Sequence, residues 1–334
     1  MATTERNTKI DILRGIAAVC MVLGHAIIVY PVNLTLIPWC AAIRYFIYTF
    51  HMPLFFILSG FVYRCTSYRK YITRKAQRIV LPYLLFESIS ILLHAFGGSL
   101  INGNVSVSDG IRNMLFMGGG YWFLYTIFLV FVLFPFFERF CKTIRSKVIA
   151  ILVLIWMDQF FIFPDFLCIS SIVSYFPYFI LGNILKQYGS HTIDNTIRQH
   201  SVALFVFCIL SYGITNHLLA AELLPSFSDA LNFMRAVSIS TVLYMLCPVL
   251  ISSGNAVKTA VRSLLTDCSK YSLQIYLFDG YLVTLLRTLL ISVLKIHIPL
   301  VIIPCITIIN LAVTLCICKF ILPRVRLFRT LCGL

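Results

Sequence analysis

Long apolar runs follow one another along nearly the whole chain, each of the length that crosses a bilayer as a helix, with short polar stretches between them. They predict spans near residues 10 to 30, 41 to 63, 79 to 101, 120 to 138, 146 to 163, 170 to 187, 200 to 217, 230 to 252, 271 to 292 and 298 to 321. The expected fold is an all-α polytopic membrane protein of about ten transmembrane helices. Spans five and six are the shortest, because Pro164 and Pro177 interrupt them and backbone groups freed by proline need partners inside the bundle. The stretch from about 102 to 119 reads as a flexible connector; it carries Gly103, Asn104, Ser106, Ser108, Asp109 and the run Gly118, Gly119, Gly120. No convincing internal repeat is present, which argues against an inverted-repeat transporter.

Composition strengthens this picture. The chain is 60% hydrophobic and 12% charged, where a soluble domain carries roughly 25% charged residues, and its mean hydropathy is +0.93. Ten spans with short connections use up the 334 residues, so 1–334 reads as a single integral-membrane domain with no room for a soluble catalytic unit. The first apolar run has no small-residue cleavage site and is expected to be retained as a helix. Twelve cysteines lie mostly in apolar runs, Cys20, Cys208, Cys247, Cys316 and Cys318 among them, with no CxxC pair, so they read as small core residues and no metal site is expected.

A net charge of +15 changes the picture only by where it sits. Arg64, Arg69, Lys70, Arg74, Lys75 and Arg78 follow span two; Arg139, Lys142, Arg145 and Lys147 follow span four. Lys186 and Arg198 follow span six, Lys258, Arg262 and Lys270 follow span eight, and Lys319, Arg324, Arg326 and Arg329 end the chain. With ten spans all these stretches share one side, while the opposite loops hold few cations, such as Arg44, Arg112 and Lys295. Both termini are therefore expected in the cytoplasm, and the cations report topology and lipid headgroups rather than nucleic acid.

Ionisable groups at membrane depth are costly and mark candidate chemistry. Arg14 and His25 in span one are eleven steps apart, which returns to within roughly 20° of the same helix face about 16 Å further on. Asp11, three residues before Arg14, can hold its guanidinium. His25 lies deep enough to work as a neutral ring accepting a proton, or simply to be hydrogen-bonded in the bundle interior. Span two carries His51 and Pro53 in FHMPLFFILSGF, residues 50 to 61, with Ser59 and Gly60 permitting close helix approach; it runs back toward the cytoplasm, so His51 can lie at the depth of His25. Span three adds Glu87 and His94 on nearly one face, and a carboxylate there can orient a histidine or neutralise a cation. Asp158, Asn183, Arg235, Asp279, Arg287 and Asn310 are further polar groups in spans, with Arg235, Asp279 and Arg287 toward the outer half.

These residues carry a resemblance. Arg14 with His25, FHMPLFFILSGF, RKAQRIVLPY at 74 to 83, YWFL at 121 to 124 and YSLQIYLF at 271 to 278 occur in an order that resembles the integral-membrane acyltransferase family 3, the O-acyltransferases of surface glycans. The resemblance implies transfer of an acyl group, acetyl by family default, from cytoplasmic acyl-CoA (acetyl-CoA) to a hydroxyl of a cell-envelope sugar or polysaccharide precursor, which can be lipid-linked. It implies a multi-pass protein of the bacterial plasma membrane, His25 as catalytic base and Arg14 on the donor path. The family often has a histidine after the IYL-type segment; here Phe278 and Asp279 stand there, so no role for a late histidine carries over.

Chemistry read from the residues agrees. Thioester-to-alcohol transfer needs a base near the alcohol, a donor for the oxyanion and fixed positive charge for the CoA phosphates. His25, His51 and Glu87 are the catalytic candidates; Arg14, Arg74, Lys75 and Arg78 are the donor-binding ones; Tyr121, Trp122, Arg235 and Asp279 are candidates to line the acceptor site. The competing reading is a transporter or exporter that uses the same polar path without chemistry.

Overall fold

The computed structural model describes residues 7–28, 32–97, 106–252 and 255–334. Among them the chain is helical, with no strand. Its helices are α1 (Thr8–Ile28), α2 (Pro38–Phe61), α3 (Tyr68–Lys75), α4 (Leu81–Gly97), α5 (Val107–Phe116), α6 (Trp122–Phe140), α7 (Ile144–Phe160), α8 (Ile169–Tyr188), α9 (Ser190–Gln199), α10 (Ser201–Ala220), α11 (Ser228–Ile251), α12 (Ala256–Lys270), α13 (Ser272–Arg287), α14 (Pro299–Cys316) and α15 (Arg326–Leu331).

Nine helical stretches of the described residues are long and apolar enough to cross a membrane. They match the predicted spans within a few residues at most ends, except the fifth. There α7 has 17 residues, at the short limit of what a bilayer requires. Pro164 lies in the connection after α7, whereas Pro177 is accommodated inside continuous α8. The protein is thus an all-α polytopic membrane protein.

Two predicted connectors are structured. The basic stretch after α2 is helical: α3 passes through a π-helical turn, Ala76–Val80, directly into α4. Between α4 and α6, residues 102 to 105, including Gly103 and Asn104, lie outside the described residues. The rest is not a flexible connector but forms α5, whose N-terminus is capped by Ser106, with its Oγ accepting from the Asp109 N–H at 3.1 Å. Chain entropy is offset here by a cap that satisfies an otherwise open backbone donor.

In a bilayer, lipid is as apolar as leucine, so helices associate by close packing rather than by burial from water. Glycine supplies that packing. An added Cβ on Gly60 of α2 would stand 2.0 Å from the Phe179 carbonyl oxygen, and one on Gly182 of α8 would stand 1.9 Å from that of Ile57. The two backbones touch at both positions, as Gly60 led us to expect. Aromatic rings fill the space beside this crossing: Phe134 and Phe179 are fully buried with centroids 4.7 Å apart, and Phe56 stacks on Tyr175 at 4.9 Å. Helices α1, α2, α4, α6, α8 and α13 then leave an internal space between them.

Candidate active site

That space is a cavity of about 860 Å³, lined by His25 of α1, His51 of α2, His94 of α4, Trp122 of α6, Tyr175 of α8 and Tyr276 of α13. The two histidines singled out in the first two spans therefore face one chamber, as does a third.

His25 Nδ1 hydrogen-bonds the Asp279 carboxylate on α13. Asp279 is fully buried; its second oxygen accepts from Asn310 Nδ2 at 2.7 Å, and Asn310 Oδ1 accepts from Thr314 Oγ1 at 3.2 Å. A carboxylate accepts, so the network assigns the proton to Nδ1 and leaves Nε2 with its lone pair. The imidazole, its side chain 30% exposed, is held as a base whose conjugate acid has a counter-charge behind it. Asp279 is thus turned onto His25 from the position where no late histidine exists.

His51 is oriented differently. Its Nδ1 donates to the Ile47 carbonyl at 2.9 Å, so it too keeps Nε2 free, but among the described residues no carboxylate pairs with it. Its ring meets that of Tyr48 edge-on at 4.9 Å, and the Arg44 guanidinium lies over Tyr48 at 4.6 Å. Arg44, counted above as a loop cation, belongs to α2. Arg44, Tyr48 and His51 follow the i, i+4, i+7 spacing of one helix face, a signal present in the sequence that drew no attention to Tyr48.

Glu87 is buried, and its Oε1 accepts from the Gly120 N–H at 3.0 Å. Gly118 and Gly119 have φ of +76° and +51°, and a Cβ on Gly119 would lie 2.0 Å from Glu87 Oε1. The glycine run therefore admits a carboxylate against bare backbone and carries Tyr121 and Trp122 to the cavity wall. Tyr121 spends its hydroxyl on the Leu277 carbonyl at 2.9 Å, while Trp122 packs on Tyr175 at 5.5 Å.

The three polar residues of the outer half do not form one cluster. Arg287 donates to the carbonyls of Ala26 and Val32, Asp279 serves His25, and Arg235 bonds Tyr45, Asn216 and Asn232 away from the large cavity. At the other end of α1, Lys75 lies near enough to Arg14 and Arg78 for their charges to act on it, and its ammonium sits 3.6 Å from the Phe131 ring centroid. Arg74 and Arg78 are exposed and Lys75 is half-buried. Cations gathered with like neighbours can hold a polyanion. Among the described residues no three His, Cys, Asp or Glu side chains converge as a metal site would require.

Residues 7–319 match the family model described as an acyltransferase domain. Among curated proteins, the chain is 26% identical over 228 residues to the nodulation protein NolL of Sinorhizobium fredii, covering 63% of this chain and 58% of that protein. It is 25% identical over 195 residues to NolL of Mesorhizobium japonicum, covering 55% and 49%. The chain thus spans about half the length of these relatives. No solved structure matches it.

Proposed function

The chain belongs to the acyltransferase domain family, and from that premise we propose that it transfers an acyl group, acetyl by default, from cytoplasmic acyl-CoA to a hydroxyl of a bacterial envelope sugar. The observation that carries the reading is the His25–Asp279 pair at the wall of the cavity. His25 Nε2 takes the proton of the acceptor hydroxyl as its oxygen attacks the thioester carbonyl. The C–S bond then breaks, and the departing thiolate takes the proton back from the imidazolium. Asp279 holds the tautomer and offsets the charge of the imidazolium while it exists.

Arg14, Lys75 and Arg78 supply cations for the CoA phosphates. Arg14 and His25 are eleven helical steps apart, about 16 Å of rise, so the donor must carry its acyl group on a long flexible arm, as CoA does. Trp122 and Tyr175 offer apolar ring faces in the cavity for an acyl arm or a sugar.

Mass spectrometry of the surface glycans in cells with and without the gene tests the reading. Deletion should remove acyl-modified species, wild type should restore them, and His25→Gln should not. Unchanged glycans on deletion, together with no transfer from acetyl-CoA by the purified protein, would overturn it.

A further inference from the structure

A second, smaller pocket of about 220 Å³ shares the walls Tyr48 and Tyr175 with the large cavity, and Asp158, Ser174, Asp229 and Arg235 line it. Its chemistry contrasts with the apolar bundle around it. Asp158 sits near the C-terminal end of α7, and Asp229 and Arg235 lie in the first third of α11. All three therefore stand at the end of the bundle that holds His25 rather than Arg14.

The pocket is built before any ligand arrives. Asp229 is fixed by Gln159, whose Oε1 accepts from the Asp229 N–H at 2.9 Å. Arg235 is 7% exposed, and its terminal nitrogens are held by the Tyr45 hydroxyl, Asn216 Oδ1 at 3.3 Å and Asn232 Oδ1 at 2.9 Å. Its Nε–H is buried with no acceptor among the described residues, and neither Asp158 nor Asp229 has an ion-pair partner there. A buried donor left open inside a membrane protein is costly unless a polar ligand completes it, and the half-buried carboxylates of Asp158 and Asp229 line the same space.

We propose that this pocket binds a neutral glycosyl ring of the acceptor, with Asp158 and Asp229 accepting from its hydroxyls and Arg235 Nε donating to a ring or hydroxyl oxygen. One open donor, two carboxylates without a cationic partner among the described residues and bordering aromatic faces suit a polyol better than a lone cation or anion. The Tyr48 ring separates this pocket from His51, so a sugar seated here extends a substituent past Tyr48 into the large cavity, where the histidines lie. The ligand's identity rests on the acyl-transfer reading above; the existence of the subsite does not.

The test uses the full chain in lipid nanodiscs. Methyl glycosides of hexoses, 6-deoxyhexoses and N-acetylhexosamines are titrated by saturation-transfer NMR, with coenzyme A titrated in parallel by calorimetry. At least one glycoside should bind wild type, and Asp229→Asn and Arg235→Gln should each weaken it about tenfold or more, as expected when a hydrogen bond to a charged group is lost. Coenzyme A affinity should stay unchanged. Where Arg235→Gln fails to fold, Asp158→Asn and Ser174→Ala carry the same test. Equal glycoside affinity in all folded variants, or no glycoside binding to wild type, overturns the proposal. Binding localised to the pocket without transfer from acetyl-CoA leaves the subsite standing and removes the acyltransfer reading; transfer with an unaltered glycoside KM in the variants does the reverse.

Discussion

Asp279 of α13 holds His25 of α1 by its Nδ1, across 254 positions of sequence, and is itself held by Asn310 of α14. Three helices thereby fix one imidazole. The pair gives His25 what His51, backed only by the neutral Ile47 carbonyl, lacks: a compensating charge when the ring takes a proton.

Asp279→Asn should therefore act on tautomer more than on packing. An amide can donate to Nδ1, which moves the ring proton to Nε2 and removes the lone pair from the cavity side. Turnover should fall by about 10²–10⁴, the range of a positioned base, with coenzyme A binding and thermal stability near wild type. Near-normal kcat in a folded Asp279→Asn protein would show that the pair is structural.

The same comparison separates the two histidines. His25→Gln should lose transfer by about 10²–10⁴, while His51→Gln should lose less than about tenfold. The measurement is single-turnover transfer from labelled acetyl-CoA with each variant saturated in donor. A folded His25→Gln enzyme that keeps its rate while His51→Gln loses it moves the base to α2. A labelled acyl group retained covalently on His25 in wild type would replace direct attack with a two-step route.

For the cations near the start of α1 the expected change is in binding. Arg14→Ala and Lys75→Ala should each raise the dissociation constant of coenzyme A by about tenfold, since each removes a charge-assisted contact to phosphate. The effect should shrink for dephospho-coenzyme A and with rising salt. Calorimetry on the purified variants reads this directly, and unchanged affinity in both would take the donor phosphates elsewhere.

How far the sequence carried these conclusions varies by element. The long helices were legible because lipid demands apolar runs of a set length, and α7 fell at the limit for the same reason. The short helix α5 was missed inside a polar stretch, although Ser106 and Asp109 have the spacing of a capping pair. Arg44, Tyr48 and His51 were readable as one face. The His25–Asp279 contact was not, because no periodicity links two helices so far apart in the chain; only their tertiary packing does. Nor could spacing show that Arg235 stands apart while Asp279 and Arg287 of α13 bond the neighbouring residues His25 and Ala26 of α1, since only tertiary packing brings these helices together.

Topology offers an independent check. The basic α3 and its capping residue Ser67, exposed between α2 and α3, should face the cytoplasm if the positive charges set orientation. On a background without the twelve native cysteines, Ser67→Cys should resist an impermeant maleimide in intact cells and react after permeabilisation. Labelling in intact cells reverses the orientation, and with it the side from which the donor enters.

Glu87 is the residue whose role the geometry narrows most. Its Oε1 takes the Gly120 N–H at 3.0 Å, and its Oε2 is buried with no hydrogen-bond partner among the described residues. Glu87 is not among the residues lining the large cavity, although Gly120, Tyr121 and Trp122 are. A positioning role and an acid–base role then part under one substitution. Glu87→Gln keeps an oxygen for Gly120, so a positioning residue should retain turnover within about threefold, whereas loss of an acid–base group costs about 10²–10⁴. Glu87→Ala leaves the Gly120 N–H open and should cost about 1–3 kcal/mol of stability, read as a lower Tm. Gly119→Ala meets the same carboxylate from the other side, with a Cβ 2.0 Å from Oε1 at a φ of +51°; it should destabilise the protein, and less so when paired with Glu87→Ala, because the clash is then gone and only the backbone strain remains. A Glu87→Gln protein that folds, binds coenzyme A and fails to transfer would return the carboxylate to the chemistry itself.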